Sequence, residues 1–197
     1  MGIDLFRAAQ RIRVPAGFLC GGLFLVFSRP RWGFVLIGFP VALAGLALRA
    51  WAAGCIEKGR ELETRGPYGY TRNPLYVGSF LMGLGAFLAA ANLWLILLFA
   101  ALFPGIYIPV MKREEEELQM LFPDRFSRYR DSVPLFLPRL PRRARDDAPS
   151  PETVSFPGGA TTGMRFRWSR LRQNREYNAI FGFVVTFGWI FFRLWLR

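Results

Sequence analysis

Residues 75–111 read LYVGSFLMGLGAFLAAANLWLILLFAALFPGIYIPVM, 37 residues without one charged side chain. About 20 apolar residues cross the hydrocarbon core of a bilayer as a helix, so this stretch is long enough for two crossings. Ala91-Asn92 interrupts it near the middle, and the pattern predicts two helices folded back as a hairpin with Asn92 at the turn. A single core helix of a water-soluble domain does not run that far without charge.

Working outward, Trp32–Ile56 is apolar except for Arg49, whose long stem lies near one end and is expected to reach the interface. Val14–Phe27 is shorter and carries Pro15, Gly17, Gly21 and Gly22, with Arg13 and Arg29 placed to snorkel at its ends. More apolar sequence follows it with no small-residue cleavage site, which favours a span over a cleaved leader. Ala179–Leu196 is apolar except for Arg193 and rich in Phe and Trp, and it reads as a last span.

The expected fold is therefore all-α, an integral membrane helical bundle of about five transmembrane helices. Residues 1–13 form an amphipathic N-terminus, and residues 14–138 a membrane core. That core has spans at 14–28, 32–56, 74–91 and 93–111, then amphipathic helices over 112–133. A basic flexible linker fills 139–176, where Pro, Ser, Gly, Thr and Arg dominate, and residues 177–197 form a C-terminal transmembrane helix.

Composition narrows the chemistry. The chain is 52% hydrophobic yet carries 26 Lys+Arg against 14 Asp+Glu, so the placement of the charges decides the class. With the N-terminus in the cytoplasm, that side receives Arg7, Arg11, Arg13, Lys58, Arg60, Arg65, Arg72 and every Lys/Arg from Lys112 to Arg175. The other side receives only Arg29, Arg31, Arg193 and Arg197, an asymmetry that points to a bacterial inner membrane with the N-terminus inside. Histidine is absent and the only cysteines are Cys20 and Cys55, which removes the usual zinc sites, histidine triads and a disulfide framework.

Two polar clusters meet at the open end of the hairpin. The first runs Gly66-Pro67-Tyr68-Gly69-Tyr70-Thr71-Arg72-Asn73-Pro74-Leu75-Tyr76-Val77-Gly78 into the third span, and the second is Lys112-Arg113-Glu114-Glu115-Glu116-Glu117-Leu118 after the fourth. Asn at the cap and Pro at the first position start a helix, and the same start leaves N–H groups beside Arg72 for a ligand carboxylate. The glutamate run is a solvated helix face on its plainest reading. Leu118, Phe122, Phe126, Tyr129 and Val133, however, trace one apolar face in phase with Glu114, so one of the carboxylates can point inward.

Gly-Pro-Tyr, then Arg-x-Pro-x-Tyr-x-Gly, an apolar hairpin, Glu-Glu-x-x-Leu-x-x-x-Phe, Phe126, Tyr129 and Val133-Pro134 together resemble the isoprenylcysteine carboxyl methyltransferase family and its phospholipid methyltransferase relatives. The likeness covers about residues 48–138. It implies a membrane enzyme that binds S-adenosylmethionine at the cytoplasmic mouth and takes a lipophilic acceptor, carboxylate, amine or thiol, from the bilayer. Carried over by position, the cofactor site would comprise Gly66, Pro67, Tyr68, Arg72, Asn73, Pro74, Tyr76, Glu114, Glu115, Phe126 and Tyr129. Arg72, Asn73, Glu114 and Glu115 would be the catalytic group. Three positions depart from the family pattern: Asn73 stands where His is usual, Pro123 where Gly is usual, and Phe126 where Tyr is usual.

The loss of His bears on mechanism. Methyl transfer from a sulfonium is an in-line displacement with an activated donor, so positioning and electrostatics carry it, and a carboxylate or thiolate acceptor needs no base. An acceptor that must lose a proton would fall to Glu114 or Glu115. The cation–aromatic stretch at 165–172 reads as a contact for anionic lipid headgroups rather than nucleic acid. The rival function is a non-enzymatic membrane assembly or accessory protein that keeps the hairpin, and Asn73 is the residue that favours it.

Overall fold

The computed structural model describes residues 15, 17–56, 62–139, 166–174 and 176–196. The expected N-terminal segment at 1–13 and most of the expected linker lie outside these residues. Among the described residues the chain is all helical, with no strand: α1 Gly17–Phe27, α2 Trp32–Cys55, a 3-10 turn at Gly66–Gly69, α3 Pro74–Ala89, α4 Leu93–Leu121, α5 Pro123–Ser132, α6 Trp168–Gln173 and α7 Tyr177–Trp195. Three helices, α2, α4 and α7, are long and apolar enough to cross a membrane, and α1 and α3 are shorter apolar helices. Phe18, Leu36, Trp94, Phe181 and Trp195 stand exposed on them. Apolar side chains in that number suit lipid and not water, so the molecule is a membrane helical bundle.

Helices α2 and α3 touch backbone to backbone. A Cβ added at Gly45 would lie 2.6 Å from the Gly78 carbonyl oxygen and 2.6 Å from the Met82 nitrogen, while Gly38 faces Gly85 and Ala89 in the same way. The reversed order of these partners makes the pair antiparallel. The small residues at 38, 42 and 45 on α2 and at 78, 85 and 89 on α3 recur at helical spacing, the arrangement by which membrane helices gain close van der Waals contact without a hydrophobic drive.

The α3–α4 hairpin is built differently, from rings. Phe87 and Phe99 stack with centroids 5.0 Å apart, Phe80 and Phe99 at 5.6 Å, and Phe80 meets Phe103 edge-on at 5.2 Å. Gly83 makes room for the Phe99 ring, which would meet a Cβ there at 2.5 Å. The turn falls at Ala91-Asn92: Ala91 has φ 52°, and the Asn92 carboxamide oxygen accepts the Trp94 N–H at 3.0 Å to cap α4.

That turn marks one end of the bundle. Arg29 donates its N–H to the Ala90 carbonyl at 2.8 Å, Asn92 Nδ2 donates to the Phe27 carbonyl at 3.1 Å, and Arg193 Nη2 donates to the Ser28 carbonyl at 3.0 Å. The end of α1, the start of α2, the hairpin turn and the end of α7 are thus tied together. The opposite, open end gathers the end of α2, the 3-10 turn, the start of α3, the end of α4, α5, α6 and the start of α7.

Three features differ from the sequence expectation. First, α4 does not stop at Met111 but runs on through the charged run to Leu121, because Lys, Arg, Glu, Gln and Leu are strong helix formers. It ends where Pro123 forbids the preceding residue a helical conformation, and Phe122 takes φ −137°, ψ 61°. The five-residue apolar face survives the bend, with Phe126, Tyr129 and Val133 buried together with Leu62 against Leu118 and Phe122.

Second, the end of the expected linker is ordered. Phe166 lies against Gly54, Arg167 donates its N–H to the Gly54 carbonyl at 3.1 Å, Arg170 Nη1 reaches the Cys55 carbonyl at 2.7 Å, and Asn174 Nδ2 reaches the Ala53 carbonyl at 2.8 Å. The last carbonyls of a helix have no partner within it, and this segment supplies them for α2. Third, Arg49 does not reach outward. Its Nε and Nη2 grip the Glu176 carboxylate at 3.0 and 2.8 Å, and its Nη1 donates to the Leu75 carbonyl at 3.3 Å and to Ser79 Oγ. One guanidinium therefore joins α2, α3 and the start of α7.

Candidate functional site at the open end of the hairpin

The site begins with a glycine that has to be a glycine. Gly66 has φ 56°, the left-handed region that side chains disfavour, and it opens the 3-10 turn in which Pro67 and Tyr68 are buried. The chain then enters α3 through Thr71, Arg72 and Asn73. Across the mouth, the last turns of α4 present Glu114 and Glu115, and α5 folds over the top with Phe126 and Tyr129 turned inward and buried.

These elements converge on two acid–base contacts. Arg72 Nη1 lies 2.6 Å from Glu115 Oε1, and the Tyr76 hydroxyl donates to Glu114 Oε1 at 2.8 Å. Tyr129, on α5, donates its hydroxyl to the Tyr68 carbonyl at 2.7 Å and thereby fixes the lid to the turn. All the sequence-predicted positions gather at this end of the bundle, and both glutamates are engaged by residues of the first cluster.

The contact between Arg72 and Glu115 is close but lacks hydrogen-bond alignment. Arg72 Nη1, Arg72 Nε, Glu115 Oε1 and the Tyr68 hydroxyl are all buried without a hydrogen-bond partner. Nη1 and Oε1 still face each other as an ion pair at 2.6 Å, so Arg72 Nε and the Tyr68 hydroxyl are the buried groups with no partner of either kind, which is unusual in a native fold. The groups gathered here are a cationic donor, a carboxylate acceptor and a phenol. That set suits an amino-acid zwitterion or sugar hydroxyls. Burial holds both the Tyr68 and the Tyr129 phenols well above their ordinary range, so each is a neutral hydroxyl.

The helix start contributes less than its sequence promised. The Arg72 N–H donates to the Pro134 carbonyl at 2.9 Å and the Asn73 N–H to Thr71 Oγ1 at 3.3 Å, so these two amides are occupied. Asn73 sits at the cap position of α3, yet its side chain makes no capping bond; Nδ2 donates instead to the Leu135 carbonyl at 3.0 Å. What this turn offers a ligand anion is the Arg72 guanidinium.

Sequence reasoning missed the strap that receives those bonds. Residues 134–136 cross back over the mouth, held by Arg72, Asn73 and the Thr71 hydroxyl, which donates to the Phe136 carbonyl at 2.9 Å. The Phe136 ring enters the hairpin against Phe80 at 5.7 Å and Phe103 at 6.2 Å. Thr71 stands inside the first cluster and Phe136 just past Val133-Pro134, so position alone marked them, while their pairing is a tertiary matter.

Residues 33–125 match the family model described as phospholipid methyltransferase, and this match holds α2, the glycine turn, the hairpin and both glutamates. The chain is also 33% identical over 154 residues to the cobalt-zinc-cadmium resistance protein CzcN of Cupriavidus metallidurans, covering 70% of this chain and 68% of that one. The chain belongs to the phospholipid methyltransferase family. It is similar too to the protein-S-isoprenylcysteine O-methyltransferase of Schizosaccharomyces pombe, 30% identical over 145 residues, 71% of this chain and 61% of the relative. A third relative is the nickel-cobalt-cadmium resistance protein NccN of Alcaligenes xylosoxydans xylosoxydans, 38% identical over 109 residues, 53% of this chain and 48% of the relative. The chain thus spans less than two thirds of the length of two of these relatives. No solved structure matches it. The family match ends at residue 125, so Phe126, Tyr129, the 134–136 strap and α7 stand outside it.

Proposed function

We propose that this protein transfers a methyl group from S-adenosylmethionine to a lipophilic acceptor at the cytoplasmic face of the membrane. The observation that carries the reading is the buried Arg72–Glu115 pair under the α5 lid, with Arg72 Nε and the Tyr68 hydroxyl left without partners beside it. Arg72 holds a carboxylate, Glu115 takes an ammonium or ribose hydroxyls, and the buried Phe126 and Tyr129 exclude water above them. When bound, the donor would supply a sulfonium methyl carbon open to in-line attack by the acceptor, with the neutral thioether as the leaving group.

The residues around the mouth position rather than titrate. The Tyr68 and Tyr129 phenols stay protonated, and Asn73 has no proton to exchange near neutral pH. Glu114, held by the Tyr76 hydroxyl, is the carboxylate placed to accept a proton if the acceptor carries one. A carboxylate or thiolate acceptor needs none of this, and the site favours that class.

Purified protein incubated with methyl-labelled S-adenosylmethionine and bacterial lipid extract tests the reading. Label appearing in an extractable lipid, and disappearing in Glu115→Ala, is the expected result. Absence of transfer to any lipid fraction, with the donor demonstrably bound, would remove the lipophilic acceptor.

A further inference from the structure

A cavity of about 510 Å3 opens between α1, α2, α3 and α7, within the range of small-ligand sites. None of the residues of the donor site lines it, and α7, one of its walls, lies outside the family match. Its polarity changes along its length. Arg49, Ser79 and Asn178 line it at the open end of the bundle, and Phe24, Phe87 and Phe187 line it toward the turn end.

The polar end is nearly neutral. Arg49 is committed to Glu176, Leu75 and Ser79, and Ser79 Oγ also donates to the Leu75 carbonyl at 2.8 Å. Asn178, exposed at the start of α7, brings a carboxamide that both donates and accepts. The walls are helices of a membrane bundle, so the molecules that reach the cavity come from the bilayer. Gly17, Gly21 and Gly182 line it as well, and a Cβ on any of them would meet nothing within 4 Å. Gly22, Gly33, Gly105 and Gly188 are equally unobstructed elsewhere, so this openness is a handle for testing the cavity and not its evidence.

We propose that this cavity binds a single-chain membrane amphiphile, its hydrocarbon chain among the phenylalanines and an uncharged hydroxyl or amide headgroup at Asn178. A resident bilayer lipid has that chemistry, whereas a carboxylate or thiolate methyl acceptor does not. The site stands on its own geometry and does not depend on donor binding.

The test is photolabelling of the full chain in detergent micelles with a diazirine-bearing hexadecanol. Label is expected on the cavity faces of α1 and α7, and Gly182→Leu, whose Cβ meets nothing within 4 Å, should reduce it at least tenfold. Gly182→Ala leaves most of the space and keeps the label, which separates filling from misfolding. Outward residues Phe181 and Val184, exposed and not lining the cavity, serve as the bulk-lipid reference. Label spread equally over these residues and the cavity, unchanged by Gly182→Leu, would overturn the proposal. The amphiphile that copurifies with the native protein and is lost from Gly182→Leu is then incubated with methyl-labelled donor. Its recovery unmethylated is the expected result, and methyl transfer to it would overturn its assignment as a resident lipid.

Discussion

Arg72 on the approach to α3 and Glu115 near the end of α4 stand 2.6 Å apart across the mouth of the hairpin, an ion pair whose buried atoms are still short of hydrogen bonds. A pair fully satisfied by its own partner would be structural glue. This one leaves Arg72 Nε without a partner, and it lies under a lid of two buried aromatics. Each charge-assisted hydrogen bond is worth about 1.5–3 kcal/mol, so Glu115→Ala should weaken donor binding roughly tenfold or more. Equilibrium binding of labelled donor measures it, and unchanged affinity would detach Glu115 from the site.

Tyr68 separates ligand binding from folding. Its hydroxyl is buried with no partner, so Tyr68→Phe removes a desolvated group and should leave the thermal midpoint of the ligand-free protein unchanged or raised. Donor affinity should fall in the same variant. A destabilised free protein would mean that the hydroxyl already has a partner in the fold.

Alkaline pH offers a second reading of the same residues. Tyr68 and Tyr129 ionise well above 10.0 in the folded protein and near 10.0 once unfolded, so their burial stabilises fully below that value. The contribution is lost as pH rises past 10 toward the folded values, because only the unfolded chain then gives up the protons. The unfolding midpoint should drop from pH 9 to 11, less steeply in Tyr68→Phe. A midpoint that is flat over this range contradicts the burial.

Arg49 and Glu176 lock α7 to the rest of the bundle. Glu176 is almost fully buried, and removing one member of such a pair strands the other, a loss of roughly 3 kcal/mol. Arg49→Met and Glu176→Gln should each lower the thermal midpoint in detergent, and the double variant should lose less than the two losses added together. Strict additivity would show that the pair is not coupled.

Close helix packing makes a prediction with an internal control. Gly45→Leu would drive a side chain into the Gly78 carbonyl and force α2 from α3, a cost of about 1–3 kcal/mol or more. Gly188→Ala meets nothing within 4 Å and, in a helix interior, should be neutral or stabilising by up to about 1 kcal/mol. Equal effects at the two positions would refute the α2–α3 contact.

The hairpin was legible because a charge-free run of that length has one physical home, and Asn92 supplied its turn. The convergence of the two polar clusters was legible because a hairpin must bring its own ends together, which carried Arg72 to the glutamates. The end of α4 was less so: no residue between Met111 and Phe122 stops a helix, and only Pro123 does. Arg49 was misplaced for another reason. Its partner Glu176 lies 127 residues away, and no local pattern distinguishes a snorkelling arginine from one that reaches across a bundle. The occupied amides of Arg72 and Asn73 were hidden likewise, since the strap at 134–136 has no periodicity to announce it.

The proposed function requires the mouth to bind S-adenosylmethionine through Arg72 and Glu115. Calorimetric titration of the donor into the detergent-purified full chain tests it most directly. Saturable binding at one site per chain is expected, reduced at least tenfold by Arg72→Ala and by Glu115→Ala while both variants remain folded. No measurable binding to the native protein, or undiminished affinity in both variants, would contradict it and leave a scaffold that kept the hairpin without the reaction.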